Sequence, residues 1–145
     1  EYFESCRILI DQLRVRDIIF TGRVDITDYM EKLDFTILTS ISEGQPLAVL
    51  ESFAAGRPCV TTDVGCCREL IHGSDGLGEA GICVPPMNKE QIALAILELC
   101  REPLRRRKMG EAGKQRVHRY YTHEKSMENY RRIYREVSQD GRDWI

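Results

Sequence analysis

Phe35-Thr36-Ile37-Leu38-Thr39, Glu43-Gly44-Gln45-Pro46-Leu47-Ala48-Val49-Leu50-Glu51-Ser52-Phe53-Ala54-Ala55-Gly56 and Pro58-Cys59-Val60-Thr61-Thr62 follow one another with only short gaps. The first and last are short, continuous apolar or β-branched runs, the pattern of a strand buried on both faces. Between them lies a helical run. Pro46 suits its first helical position, because its missing N–H needs no partner there, and Gly56 suits its end. A buried strand, a helix of about ten residues and a second buried strand make a parallel βαβ unit, which fixes the class as α/β.

The same alternation extends in both directions. Upstream, Cys6–Leu13 carries apolar residues at helical spacing. Asp17–Thr21 reads as a buried strand closed by Gly22. Asp25–Leu33 reads as a short helix with Asp25 or Thr27 as its N-cap. Downstream come a short helix over Cys66–His72 ended by Gly73, and a strand over Gly81–Val84 closed by Pro85-Pro86. Asn88 then caps a long helix through Cys100 that presents Ile92, Ile96 and Cys100 on one face, with Ala93 and Leu97 on its flank. Two more helices are predicted, near Leu104–Tyr120 and His123–Val137, before a frayed end. Strand and helix thus alternate four times, which predicts a Rossmann-like, doubly wound parallel sheet. Residues 1–145 are read as one partial domain, with sheet and loops over 1–87, C-terminal helices over 88–137 and a tail over 138–145.

Bulk properties agree with one soluble globular unit. The chain has 145 residues, 42% hydrophobic content and a formal net charge of −2. No apolar run approaches the ~20 residues of a membrane span, and no signal-peptide pattern opens the sequence. The six cysteines, Cys6, Cys59, Cys66, Cys67, Cys83 and Cys100, lack zinc-site spacing and read as small buried thiols of a reducing cytosol. Adjacent Cys66 and Cys67 read as packing residues, because neighbouring cysteines bridge only with strain. His72, His118 and His123 are scattered and expected at the surface. Charge is uneven: Arg101 to Arg135 holds twelve Lys or Arg against four Glu. This basic tail reads as two solvated amphipathic helices, and it lacks the interleaved aromatics of a base-stacking surface. Nucleic acid is therefore not an expected partner.

The chemistry sits in the loop and helix at 43–51. Glu43 and Glu51 stand eight positions apart, the first on the loop ahead of Pro46 and the second on an early helical turn. Backbone N–H groups at Gly44 to Leu47 gather at a helix N-terminus. Amide donors suit a phosphate and carboxylates suit hydroxyls, so the constellation fits a nucleotide sugar. In doubly wound sheets, ligands bind beyond the carboxyl ends of the strands. Three loops leave those ends: Gly22–Asp25, Ser40–Gln45 and Asp63–Cys67.

The chain resembles the retaining glycosyltransferases of family 4, which carry two Rossmann-like domains in the GT-B arrangement. The likeness is carried by Phe20-Thr21-Gly22, by Asp34 to Ser40, by Glu43 to Pro58 with its paired glutamates, and by Thr62-Asp63-Val64-Gly65. It covers nearly the whole chain, as the C-terminal, donor-binding half. Val64 to Leu70 with Gly78-Glu79-Ala80-Gly81 is similar to the PelF branch, which polymerises an exopolysaccharide from a UDP-sugar.

The resemblance implies roles. Glu43 is the catalytic candidate: it would touch donor-sugar hydroxyls and stabilise positive charge at the anomeric carbon. Glu51 would accept hydrogen bonds from both ribose hydroxyls. Backbone N–H groups at Gln45 to Leu47, with Pro46 between them, would hold the distal phosphate. Gly44 would let the chain approach the sugar, and Gly22, Arg23 and Val24 would lie against the base. Catalysis would rest on stabilising the leaving diphosphate and orienting an acceptor hydroxyl, with no cofactor and no metal. The implied partners are a nucleotide-sugar donor, with UDP as the expected nucleotide, a sugar or glycan acceptor, and an N-terminal acceptor domain. The implied place is the cytoplasm, at the inner face of the membrane where polysaccharide-synthesis partners sit. Competing readings are a nucleotide-sugar epimerase of the same architecture and a non-catalytic α/β interaction module. Neither finds its signature here: the loops offer no convincing His or Asp for epimerisation, and no receiver-type aspartate cluster ends the early strands.

Two departures accompany the likeness. Gln45 stands where the family usually has an aromatic residue. The family's half also opens with two further strands and a basic pair ahead of the region seen here, so the fragment is expected to be inactive alone. In the order 3-2-1-4-5-6, Asp17–Thr21 would be an outer strand and Phe35–Thr39 would lack its central partner. The expected outcome is direct pairing of these two segments or a strand-mediated homodimer.

Overall fold

The computed structural model describes residues 1–139. In chain order the elements are α1 (Tyr2–Gln12), α2 (Thr27–Met30), β1 (Thr36–Leu38), α3 (Leu47–Ala54), β2 (Cys59–Thr62), α4 (Cys67–His72), β3 (Gly81–Val84), α5 (Lys89–Arg101), α6 (Pro103–Tyr120) and α7 (His123–Gln139). The three strands form one parallel sheet in the order β1-β2-β3. Thr36 lies opposite Cys59 and Leu38 opposite Thr61, while Cys59 lies opposite Gly81 and Thr62 opposite Val84. This is the parallel α/β arrangement expected from the βαβ unit.

Successive strand residues point to opposite faces, and β2 is buried at all its positions because both faces are covered. Cys59 joins Val49, Phe53, Leu70, Ile71 and Ala80, the core formed with α3 and α4. Its neighbour Val60 joins Val84, Ala95, Leu99 and Met109, the core formed with α5 and α6. Helix α5 is capped as the sequence indicated, with the Gln91 N–H donating to Asn88 Oδ1 at 3.0 Å. Its inward stripe, however, is Ile92, Ala95, Ile96 and Leu99, while Cys100 is exposed. Cys100 is one position past the buried turn, a displacement of about 100° on a helix of ~3.6 residues per turn.

Helix α6 packs on α3 through glycine. A Cβ at Gly110 would stand 2.1 Å from the Gly56 carbonyl oxygen, so only glycine permits this approach. The same helix carries a group the sequence did not single out. Arg116 is 2% exposed, and its guanidinium donates to both carboxylate oxygens of Asp75 at 2.7 and 2.9 Å. It also donates to the carbonyls of Leu70, Ile71, His72 and Gly78 at 2.6–3.3 Å. One side chain thus ties the end of α4 and the following turn to α6, with every donor used. The Arg116 hydrogen bonds hold the Asp75 carboxyl down at about 2, below its ordinary 3.8. A folded-state pKa depressed below the unfolded one adds stability at higher pH that is lost as pH falls. Urea unfolding should show this contribution intact above about pH 4 and fading toward pH 2; an Arg116→Met chain should lack that acid limb, and an unchanged limb would contradict the assignment.

Several boundaries differ from expectation. Asp17–Thr21 forms no strand, and the sheet has three strands rather than four. Ile19 is 85% exposed, and Phe20 instead meets Phe3 of α1 edge to face, with ring centroids 4.9 Å apart. An extended run becomes a strand only when a neighbour takes its backbone hydrogen bonds, and no described strand lies beside this one. Direct pairing with β1 is therefore not formed, and among the described residues the outer edge of β1 is open. Pro46 is the residue before the helix rather than its first turn, with extended backbone at φ −72°, ψ 114°. The Asp25 carboxylate does accept from the Thr27 N–H and hydroxyl, at 3.0 and 2.7 Å. Of the cysteines, Cys59 and Cys67 are buried, Cys6, Cys66 and Cys83 are half-buried, and all six are free thiols. The three histidines are exposed. Helix α7 runs to Gln139, so the frayed end placed over 138–145 falls partly inside it and otherwise lies outside the described residues. Among the described residues, no helix is long and apolar enough to cross a membrane.

Candidate functional site

The site is built at the carboxyl end of β1. The chain leaves the strand through Ser40, whose hydroxyl donates to Glu43 Oε1 at 2.7 Å and so fixes that carboxylate. The loop is tied to its neighbour after β2 at three points. The Thr62 hydroxyl donates to the Ser40 carbonyl at 2.5 Å, and the Cys66 N–H donates to the Gly44 carbonyl at 3.0 Å. Gly65, at φ +53°, packs so closely that a Cβ there would lie 2.3 Å from the Glu43 carbonyl oxygen and 2.5 Å from that of Gly44. Two of the three predicted ligand loops are therefore one rigid unit.

Pro46 ends this loop, buried, and α3 begins at Leu47. Pro46 has no N–H. The N–H groups of Leu47 and Ala48 have no backbone acceptor among the described residues, so they are free for a ligand at the positive end of the helix. Gly44, Gln45 and Leu47 are exposed around them. Next to the loop, the Cys66 thiol is pushed above its ordinary pKa by burial first and then by the adjoining Cys67 and Glu69 side chains.

Glu51 stands on the next turns of α3. Its register is set by buried Ser52, which receives a hydrogen bond from the Thr36 hydroxyl at 2.7 Å and donates to the Arg57 carbonyl at 2.8 Å. That lock turns Glu51 into a groove of about 200 Å³ walled by Ile26, Met30, Thr36, Ile37 and Ala48. The groove widens past Ala54 and Ala55 to Lys114, where a further 510 Å³ opens. Arg57 holds the α2 wall in place by donating to the carbonyls of Met30 at 3.0 Å and Glu31 at 2.8 Å. Gly22 adopts φ +66°, and the exposed Gly22-Arg23-Val24 turn leads directly into Ile26.

The structure thus brings Glu43, Gly44, Gln45, Pro46 and Leu47 onto one pinned loop. It sets Glu51 on the helix that this loop opens, in a groove whose far wall follows Gly22–Val24. Glu43 lines neither part of that groove. The two carboxylates therefore do not share that groove, standing eight residues apart along one loop and helix. Sequence reading missed the supports Ser40, Thr62, Gly65, Ser52 and Arg57. The quoted Thr-Asp-Val-Gly run already contained Thr62 and Gly65, but not their contacts.

A parallel α/β domain with a ligand-ready helix N-terminus beyond its strand ends is a Rossmann-like unit. Residues 3–102 match the family described as glycosyl transferases group 1, and the chain belongs to that family. It is 31% identical over 146 aligned positions to the N-acetyl-alpha-D-glucosaminyl L-malate synthase of Bacillus anthracis, covering 97% of this chain and 37% of that protein. It is 29% identical over 116 positions to glycogen synthase of Mycobacterium tuberculosis, covering 75% of this chain and 27% of that protein. Among solved structures, sucrose-phosphate synthase from Thermosynechococcus elongatus superposes with a TM-score of 0.82 at 22% identity, over 95% of this chain and 35% of that one. That likeness places the fold in the GT-B class. The chain spans 27–37% of the length of these three proteins.

Proposed function

We propose that this domain is the donor-binding half of a retaining glycosyltransferase that moves a sugar from a nucleotide sugar, with UDP as the nucleotide, to a growing polysaccharide. One observation carries the reading: a pinned loop presents Glu43 and free amides at the start of the helix that sets Glu51 in a groove. Glu51 takes the ribose hydroxyls, because a carboxylate offers two acceptor oxygens and the groove walls beside it are apolar enough to receive a nucleoside. The Gly22-Arg23-Val24 turn borders the base. The Gln45 and Leu47 amides take the distal phosphate, and Glu43, oriented by Ser40, faces the sugar. Gln45 makes that surface more polar than an aromatic would.

Chemistry then consists of stabilising the leaving diphosphate at the helix N-terminus and holding positive charge at the anomeric carbon beside Glu43. The reading uses no metal and no covalent nucleophile. The reacting end of the acceptor and the remaining phosphate contacts are held by a further domain, so the isolated chain binds nucleotide and transfers nothing. The open edge of β1 is where such a chain would self-associate, and polysaccharide-synthesis partners at the membrane would meet the complete protein. The glycogen synthase and N-acetyl-alpha-D-glucosaminyl L-malate synthase names of the relatives support a sugar-transfer reading in general terms.

Calorimetric titration with UDP tests it. Glu51→Ala should lose the ~1.5–3 kcal/mol of hydrogen bonds to a charged group, about tenfold or more in affinity. Glu43→Gln should leave UDP affinity nearly unchanged, because it faces the sugar and UDP has none. Equal UDP binding by Glu51→Ala and the parent chain would remove Glu51 from the nucleotide site.

A further inference from the structure

A second cavity, of about 340 Å³, lies between α4, α6 and α7. Its walls are Glu69, Ser74, Asp75, Tyr120, Tyr121 and Asn129, over the buried Arg116. Neither the proposed nucleotide contacts nor the sheet core uses it. Its floor is rigid: Asp75 and Arg116 are 5% and 2% exposed and satisfy each other. Glu69 is exposed and has no cation partner among the described ion pairs. Tyr121 is half-buried against the Val49–Phe53 core, so its ring is fixed in place.

The cavity's chemistry selects among ligands. With Asp75 and Arg116 cancelling, the only net charge is the Glu69 carboxylate, so a phosphate or other anion is disfavoured. At the low end of the ~300–1,000 Å³ range of ligand pockets, it is too small for a nucleotide. Two phenol rings offer apolar faces with polar edges, while a carboxylate, an amide and a hydroxyl offer paired hydrogen-bond acceptors and donors. That set matches one ring of a neutral sugar, whose C–H face lies on an aromatic and whose adjacent hydroxyls span a planar carboxylate or amide. Position adds to this. Glu69 stands on the first turn of α4, three residues after Cys66, whose N–H is bonded to the Gly44 carbonyl.

We propose that the Glu69–Tyr121–Asn129 cavity binds a single neutral sugar unit of a glycan, holding an acceptor or product chain next to the donor loop. The acceptor role rests on the glycosyltransferase reading; the binding itself does not. Titration of the ¹⁵N-labelled 145-residue chain with maltotriose, cellotriose and chitotriose, each to millimolar concentration, tests it. At least one should shift the amides of Ser74, Tyr121 and Asn129. Those shifts should be lost in Asn129→Ala and Glu69→Ala chains of unchanged far-UV circular dichroism, and should persist in the presence of UDP. Shifts that survive both substitutions, or no shift with any of the three, would overturn the proposal. UDP perturbations at Gly44 and Glu51 in the same samples report separately on the donor site, so failure of one reading is distinguishable from failure of the other.

Discussion

Arg116→Met should destabilise the domain by ~3–5 kcal/mol, the cost of leaving one member of a buried ion pair without its partner. Few substitutions in this chain should cost more. Domain stabilities are ~5–15 kcal/mol, so the variant would sit near the edge of folding at ambient temperature. The size follows from what the guanidinium does: it neutralises Asp75 and satisfies four carbonyls at the end of α4 and the turn beyond it. Lysine should not rescue, because it lacks the planar fork of donors. Removing both charges with Arg116→Met and Asp75→Leu together should recover part of the loss, and the recovered part measures the pair. Arg107→Met on the exposed face of the same helix should stay within ~0.5 kcal/mol of the parent. Chemical denaturation checks all four chains; a loss below ~1 kcal/mol for Arg116→Met, typical of a surface pair, would show that the clamp is dispensable.

Gly65→Ala should damage the site more than its single methyl group suggests. The residue holds φ +53°, a left-handed conformation that costs an L-residue ~1–2 kcal/mol. The new Cβ would also overlap backbone oxygens at 2.3 and 2.5 Å. Those oxygens belong to Glu43 and Gly44, whose only relief is to move away from α4 and break the bond to the Cys66 N–H. The helix N-terminus would then lose the loop that shapes it, and UDP affinity should fall about tenfold or more, since each ~1.4 kcal/mol is a factor of ten. A Gly56→Ala chain is the control. It carries a similar φ of +69°, but its Cβ would meet only the far end of the Lys114 side chain at 3.8 Å. It should lose stability and keep UDP binding. If Gly65→Ala binds UDP as the parent does, the loop is not part of the donor site.

Local chemistry made most of the architecture legible. β-Branched runs marked β1, β2 and β3, Asn88 marked the start of α5, and the Pro46 and Gly56 punctuation marked α3 to within a residue. Asp17–Thr21 failed because an apolar run states only that a segment prefers burial; whether it pairs depends on a neighbouring strand, which lies outside the segment. The stripe on α5 slipped for a related reason. Ile92 and Ile96 were read correctly, but extending the same face to Cys100 ignored that the sheet covers Leu99 instead. The place of Glu43 on the loop and of Glu51 on α3 could be read from spacing. Their supports could not: Ser40 to Glu43, Thr62 to Ser40 and Gly65 against Gly44 join separate loops, and only the parallel register of β1 and β2 brings them together. Arg116 was invisible among the cations of a basic stretch, since nothing in its local sequence separates a buried arginine from a solvated one.

The loop at 43–47 and the groove at Glu51 should form one nucleotide site. Mapping the amide shifts of the ¹⁵N-labelled chain during titration with UDP tests it most directly. Val24, Gly44, Gln45, Leu47 and Glu51 should move together along one binding curve, with inorganic phosphate alone moving only Gly44 to Leu47. Unmoved resonances for these residues at millimolar UDP, or shifts confined to the basic faces of α6 and α7, would contradict it.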